Sequence, residues 1–290
     1  MTIQADSKTI ERLEEWKHRE HQAPGYIELY QRLLGLRIED SYSPTLDAHI
    51  HEIVSRFAQS NSILQFEDLL LDWAPLGKLF QQASSIVAEY SSLTDSAISA
   101  LKKLSAQHVL MEKAARAWYQ NSLPLNIANE VDVKWEALSL CFGAAFHPVL
   151  VRYSEMLSPL VEQNSWRQKL CPICGGKPDF AFLSKEIGAR WLVCSRCDTE
   201  WLFFRLECPF CGNRDQDSLA YLTNENELYR LYTCEHCRCY IKAIDLRRSE
   251  GEVLFPLERI LTLDLDRQAH KAGYKPGWVA INPSGESEVV

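Results

Sequence analysis

The sequence predicts an α+β multidomain chain, with a helical N-terminal domain followed by two tandem four-cysteine metal domains. Three observations predict it. Eight of the ten cysteines fall into four CxxC pairs packed between Cys171 and Cys237. Residues 1–165 hold one cysteine and show repeated helical periodicity. Segments rich in aromatic and β-branched residues, which read as strands, lie around and between the cysteine pairs. The composition shifts place the boundaries at 1–165 for the helical domain, 166–206 and 207–248 for the two metal ribbons, and 249–290 for a C-terminal helix and extended tail.

In the helical half, Ile27, Tyr30, Leu33 and Leu34 form a first apolar stripe. Leu76, Leu79, Phe80, Ala83, Ile86, Val87 and Tyr90 form a second, starting after a break at Pro75. Leu101, Leu104, Met111, Ala115 and Trp118 form a third, with His108 on its seam as a core histidine. The longest runs through Trp135, Leu138, Phe142, Phe146, Val149, Tyr153, Met156 and Leu160, with a kink expected at Pro148, which has no N–H to donate. Ser41–Pro44 and Ser122–Pro124 read as breaks between helices. Cys141 lies in an apolar helical stretch and reads as a buried, inert thiol. About 165 residues suffice to bury a core.

The cysteine pairs are Cys171/Cys174, Cys194/Cys197, Cys208/Cys211 and Cys234/Cys237. A two-residue spacer lets one tight turn present two sulfurs, and two such turns make a closed tetrahedral site for zinc, or for iron in a rubredoxin-like centre. The first two pairs are 19 residues apart and the last two 22, but only 10 separate the middle pairs. Sequential pairing therefore gives each zinc-ribbon-like or rubredoxin-like site its own hairpin. In CPICGG and CPFCGN, proline after the first cysteine fixes φ for the turn, and glycine after the second permits φ > 0. Strands are expected at Ala189–Val193, Trp201–Leu206, Leu228–Thr233 and Tyr240–Ile244. Cys239 could replace Cys237 as a ligand, but the fourfold regularity favours Cys237, and His236 is expected to face solvent. A ribbon of roughly 30 to 40 residues cannot build a core alone, so metal must take its place. Leu257 to Ala272 reads as amphipathic, and GYKPGWVAINPSG as an extended tail.

Composition excludes several classes. Four structural disulfides would need an oxidising compartment, whereas MTIQADSKTIERLEEWKHRE has no secretory apolar region. No apolar run approaches the ~18 residues of a membrane span, so no membrane insertion is expected. Net charge is −8, with Lys/Arg against Asp/Glu at 14 to 21 in residues 1–165, 13 to 11 in 166–248 and 4 to 7 in 249–290. Nucleic-acid ribbons carry a basic stripe, and the metal–thiolate charge cancels the small excess seen here. No Cys–His–carboxylate or Ser–His–Asp spacing and no phosphate loop stands out.

The run CPICGG…WLVCSRCDTEWLFFRLECPFCGN…YTCEHCRCYIKAID resembles the cysteine-rich half of the formate dehydrogenase accessory protein family, FdhE. The distinguishing block is Cys197–Asp198–Thr199–Glu200–Trp201, then Arg205, then Cys208, a pattern that generic zinc ribbons do not share. Gly273–Tyr274 and Asn282–Pro283 look like the family's ending. The resemblance implies a cytoplasmic accessory or maturation factor that binds the catalytic subunit of formate dehydrogenase. It also implies two metal ions, iron by the family's habit with zinc as the other possibility, on Cys171, Cys174, Cys194, Cys197, Cys208, Cys211, Cys234 and Cys237. Asp198, Glu200, Trp201 and Arg205 fill the motif between the sites. Packing is the first reading for them, with Trp201 between the ribbons and Arg205 paired to a carboxylate such as Glu200; partner binding is the second. The alternative functions are a nucleic-acid-binding double zinc ribbon and a rubredoxin-like electron-transfer protein.

Overall fold

Helix α1 (Thr2–Arg19) opens a unit that also holds α2 (Gly25–Leu34) and, after an excursion of the chain, α4 (Trp73–Tyr90), α5 (Asp95–Ala106), α6 (His108–Tyr119) and α7 (Trp135–Leu157) as far as Tyr153. The computed structural model describes residues 2–19, 25–38, 50–59, 61–91, 93–121, 133, 135–162, 165–224 and 226–278. The first compact unit comprises Met1–Asp47, Leu64–Tyr153 and Ala280–Val290, and the second comprises Ala48–Ile63 and Ser154–Val279. The second unit therefore draws a helix, α3 (Ile50–Ala58), from within the sequence of the helical half.

The stripes form the core of the first unit. Leu76, Leu79, Phe80, Ala83, Ile86 and Val87 are buried along α4, and Phe80 packs on Phe142 of α7 with ring centroids 4.8 Å apart. Trp118 of α6 lies 5.2 Å from Phe146. Cys141 is fully buried, and burial pushes its thiol up to about 12, in keeping with an inert side chain. Several details differ from expectation. Pro75 does not break a helix, because α4 starts at Trp73 behind an Asp72 cap whose side chain accepts from the Ala74 N–H at 3.0 Å. Proline is tolerated in a first turn, where the N–H would have no partner. The third stripe is two helices, parted at Gln107 (φ −103°, ψ 84°). His108 is exposed and meets the Trp73 ring edge-on at 5.3 Å, so it is not a core histidine. Pro148 lies inside α7, where the sequence places it, but Leu160 lies beyond the helix and is 45% exposed. Ser41–Pro44, Ser122–Pro124 and Asn282–Pro283 lie outside the described residues.

One sheet runs through both ribbons of the second unit. Its strands are β1 (Pro178–Leu183), β2 (Arg190–Cys194), β3 (Glu200–Leu202), β4 (Leu219–Thr223), β5 (Tyr229–Cys234), β6 (Cys239–Asp245) and β7 (Lys275–Pro276). The order is β3-β2-β1-β6-β5-β4, with β7 also on β6. Each ribbon is an antiparallel set, and they join where β1 and β6 run parallel, from Phe180 opposite Lys242 to Leu183 opposite Asp245. The apolar stretch at Leu257 to Ala272 is two helices, α8 (Phe255–Leu261) and α9 (Leu263–Lys271). Phe255 stacks on Phe182 at 5.0 Å over the first ribbon, while Ala269 and Leu265 cover Leu231 and Tyr240 of the second.

Candidate metal centres

The four CxxC turns share one backbone solution. The residue after each second cysteine has positive φ: Gly175 at 69°, Asp198 at 55°, Gly212 at 80° and Arg238 at 55°. In the first and third turns the cysteine carbonyl accepts from that glycine, Gly175 N–H to Cys171 at 3.1 Å and Gly212 N–H to Cys208 at 2.9 Å. The left-handed conformation costs an ordinary residue about 1–2 kcal/mol, so Asp198 and Arg238 need outside support. Asp198 receives it from Arg259 at 2.7 Å, and Arg238 from the Ala272 carbonyl at 3.0 Å and from the Tyr274 ring at 4.3 Å.

The turns meet in sequence order. Cys171, Cys174, Cys194 and Cys197 place all four sulfurs within 4.8 Å of one another, and so do Cys208, Cys211, Cys234 and Cys237. Individual Sγ···Sγ separations are 3.7 Å for Cys171–Cys197, 3.5 Å for Cys174–Cys194, and 3.7 Å for both Cys208–Cys237 and Cys211–Cys234. A zinc–sulfur bond of about 2.3 Å implies a tetrahedron with edges of about 3.8 Å, so the sulfurs stand where a single ion could bind all four. The chemistry of the donor set agrees. Burial and the neighbouring Cys174, Cys194 and Cys197 push the Cys171 thiol well above its ordinary value. At Cys208 the hydrogen bond with Cys237 acts first and burial second, in the same direction. A cation among the sulfurs reverses that penalty and holds them as thiolates. Both clusters therefore fit a tetrahedral ion, zinc or iron alike.

The clusters differ in enclosure. All four cysteines of the first are buried, whereas Cys211 and Cys237 of the second are half-buried. The first is also braced from afar. Ser62 donates to the Cys171 carbonyl at 2.8 Å, and the Ile63 N–H to the Pro172 carbonyl at 2.9 Å. On the other turn Arg259 of α8 donates to the Cys194 carbonyl at 2.9 Å while bridging Asp179 and Asp198. The Arg196 N–H points at Cys194 Sγ from 3.4 Å. Cys239 is buried outside both clusters, with its sulfur 3.5 Å from the Cys237 carbonyl, and His236 is exposed.

The motif between the clusters is placed differently from the packing expected. Trp201 is fully buried and donates through Nε1 to the Gln168 carbonyl at 2.9 Å. It lies on β3, the outermost strand of the first ribbon, with β2 and β1 between it and the second, so it does not pack between the ribbons. Arg205 is exposed and makes no ion pair with Glu200. The cation that ties the ribbons together is Arg190 of β2, which sequence reading missed. It is 3% exposed, donates to the Phe204 and Glu207 carbonyls, and stacks against Phe203 at 5.4 Å and Tyr232 at 5.6 Å. An arginine opening an apolar strand gives no warning of this, because a carbonyl partner leaves no mark in the sequence. A second missed cation, Lys242 of β6, is buried against the Arg259 carbonyl at 2.9 Å, the Thr262 carbonyl at 3.5 Å and Asp266 at 2.6 Å. It thereby places positive charge at the C-terminal end of α8.

Fold and clusters define a class: a helical unit joined to a tandem pair of four-cysteine ribbons in one sheet. Within that class the chain resembles FdhE proteins. Residues 170–205 match the family model described as FdhE, central domain. A protein named FdhE homolog from Aquifex aeolicus is 37% identical over 131 residues, 44% of this chain and 45% of that one. Another from an Enterobacter species is 27% identical over 213 residues, 70% of this chain and 65% of that one. The chain thus matches less than two thirds of either relative's length. The crystal structure of the FdhE protein from Pseudomonas aeruginosa, 22% identical, superposes with a TM-score of 0.64 over 98% of this chain and 96% of that one, and shares the fold. No described helix is long and apolar enough to cross a membrane.

Proposed function

We propose that this protein is a cytoplasmic, non-catalytic accessory factor for formate dehydrogenase that binds the enzyme's catalytic subunit and is needed for its maturation. The observation that carries the reading is the match of residues 170–205 to the FdhE central domain on the segment that builds the first cysteine cluster. Cys171, Cys174, Cys194 and Cys197 hold one metal ion, and Cys208, Cys211, Cys234 and Cys237 a second. When bound, zinc or iron supplies a cationic centre that keeps the thiolates in place, and iron adds a one-electron couple. The chain's own residues do the rest. Arg259 and Ser62 fix the first pair of turns, and the Asp198-to-Arg205 stretch presents Arg205 to solvent as a point of contact for the partner.

The test is deletion of the gene, assay of formate dehydrogenase, and affinity capture from native cytoplasm with mass spectrometry. Lost enzyme activity, restored by the intact gene, and capture of the catalytic subunit are expected. Full activity in a deletion strain without a second copy would overturn the proposal. An electron-transfer role is favoured by the half-buried Cys211 and Cys237, which would bring a metal close to a redox partner. A red protein with reversible bleaching on reduction supports that reading, and a colourless zinc protein removes it.

A further inference from the structure

Strand β4 is the outermost strand on the second ribbon's side of the sheet, and no described strand lies beyond it. The Glu235 N–H donates to the Ser218 carbonyl at 2.9 Å, and the Asn224 N–H to the Tyr229 carbonyl at 3.4 Å. With Ala220 opposite Thr233 and Leu222 opposite Leu231, that phase turns the backbone groups of Ala220 and Leu222 toward β5. Those of Leu219, Tyr221 and Thr223 therefore point outward. The Leu219 N–H goes to the Gln216 carbonyl, and the other outward groups have no partner among the described residues. Natural sheet edges are blunted by shortness, charge, proline or a bulge. The opposite edge, β3, is three residues long and carries Glu200. Strand β4 has none of these devices: its five residues, LAYLT, hold no charge and no proline, and its register is unbroken. Tyr221 and Leu222 are 52% and 59% exposed, on opposite faces. Tyr221 is held in place by the Tyr232 ring at 5.5 Å and the Arg230 guanidinium at 4.9 Å.

We propose that β4 pairs antiparallel with β4 of a second copy of this chain, about a twofold axis at Tyr221, joining two sheets edge to edge. The strand is its own complement in this register. Tyr221 exchanges both backbone bonds with the partner's Tyr221, and the Thr223 N–H meets the carbonyl of the partner's Leu219. The Leu219 N–H, already given to Gln216, ends the ladder. On the face that carries Leu231, the large Leu222 stands opposite the small side chain of the partner's Ala220, and the reverse pair completes the row. On the other face the two Tyr221 rings meet. Charge selects the occupant. A neutral strand favours neither an acidic nor a basic peptide, whereas a second neutral, apolar strand matches it with no charge left unpaired. Each chain carries −8, so copies repel at long range and added salt should tighten the pairing, while a peptide held by charge would let go. An isologous pair closes on itself and adds no further copies. Five residues a side make a small interface, so the association is reversible and depends on concentration. This inference is independent of the formate dehydrogenase reading.

The test applies sedimentation equilibrium to full-length, metal-loaded protein, with amide hydrogen exchange followed at low and high protein concentration. A monomer–dimer equilibrium that tightens with sodium chloride is expected, with the Tyr221 and Thr223 amides slowing as dimer forms. Thr223→Pro removes an outward N–H and leaves the β5 ladder whole, and Leu222→Lys sets a charge against the partner's Ala220. Each change acts twice in the dimer, so each should weaken it at least about tenfold while two metals per chain are retained. A monomer at every concentration, a dimer that leaves those amides unprotected, or a dimer unchanged in both variants would overturn the proposal. So would amides that slow only when formate dehydrogenase is added, which would give the edge to that enzyme.

Discussion

A single methyl group at position 176 would reach a metal ligand: a Cβ there would stand 2.9 Å from Cys194 Sγ. Gly176→Ala should therefore loosen the first cluster and release its metal faster to a chelator. Gly212→Ala, where a Cβ would meet only ordinary van der Waals contacts but φ is 80°, should cost only about 1 kcal/mol and leave metal content at two. Equal metal release from both variants would contradict the close approach at Gly176. Glu200 offers a pH test. Burial first, then the Asp198 carboxylate, push it up to about 7 from 4.5. The fold keeps a proton that the unfolded chain gives up, so this residue's contribution is fully present below about pH 4.5 and is lost as pH rises through about 7. Glu200→Gln should gain on the wild type between pH 5 and 8, by up to roughly 3 kcal/mol. Comparing urea midpoints of the two proteins cancels the slopes contributed by the other titrating groups, and a constant difference would refute the shift. At this scale the sequence was legible where chemistry is written in residue type. CPICGG and CPFCGN announced two positive-φ turns, whereas Asp198 and Arg238 adopt the same conformation without glycine's signature. They do so because Arg259 and the Ala272 carbonyl, remote in sequence, stabilise them.

Elements were legible in proportion to how one-sided their burial is. Helix α4 carries a clean stripe, and its start is set by Asp72, so Asp72→Ala should cost about 1 kcal/mol in thermal or urea unfolding of the helical unit. A loss below a few tenths would mean the cap is frayed in solution. Strand β1 gave no alternation because Phe180 through Leu183 are buried on both faces, as expected of a strand with a parallel neighbour. Strand β4 was missed because its apolar residues do not track burial: Ala220 through Thr223 are all exposed, Tyr221 and Leu222 among them, so apolar side chains sit on both faces with no alternation to read. The predicted strand at Trp201–Leu206 ends early, since Arg190 draws the Phe204 and Glu207 carbonyls out of any ladder.

Across the whole molecule, unequal enclosure of the clusters sets an order of events. A chelator should empty the second cluster before the first, read as two phases of metal release, because Cys211 and Cys237 are the half-buried ligands. Full removal should melt the sheet and leave most helical signal, the metal contributing roughly 10–16 kcal/mol in folds of this kind. Hydrogen exchange sharpens the prediction. Protection in Ile50–Ala58 should vanish with the ribbons and not persist with the other N-terminal helices. Persistence would show that this helix does not depend on the sheet. The cysteine spacing located the two clusters, but it was silent on the bond from Ser62 to Cys171, because a serine hydroxyl meeting a distant carbonyl has no pattern to read.

That bond bears on synthesis. Translation delivers Ser62 long before Cys171, and Arg259 only after all eight clustered cysteines, so the first cluster receives its outer braces from the two ends of the ribbon unit's chain. A ribosome-bound intermediate halted just past Cys237 could gather every sulfur yet would lack the Arg259 clamp on the Cys194 turn. Metal captured at that stage would still exchange, and the later-emerging stretch that carries Arg259 would act as the latch. A gene fragment starting at Ser154 would have the reverse defect, with the latch in place and the hinge post at Ser62 missing.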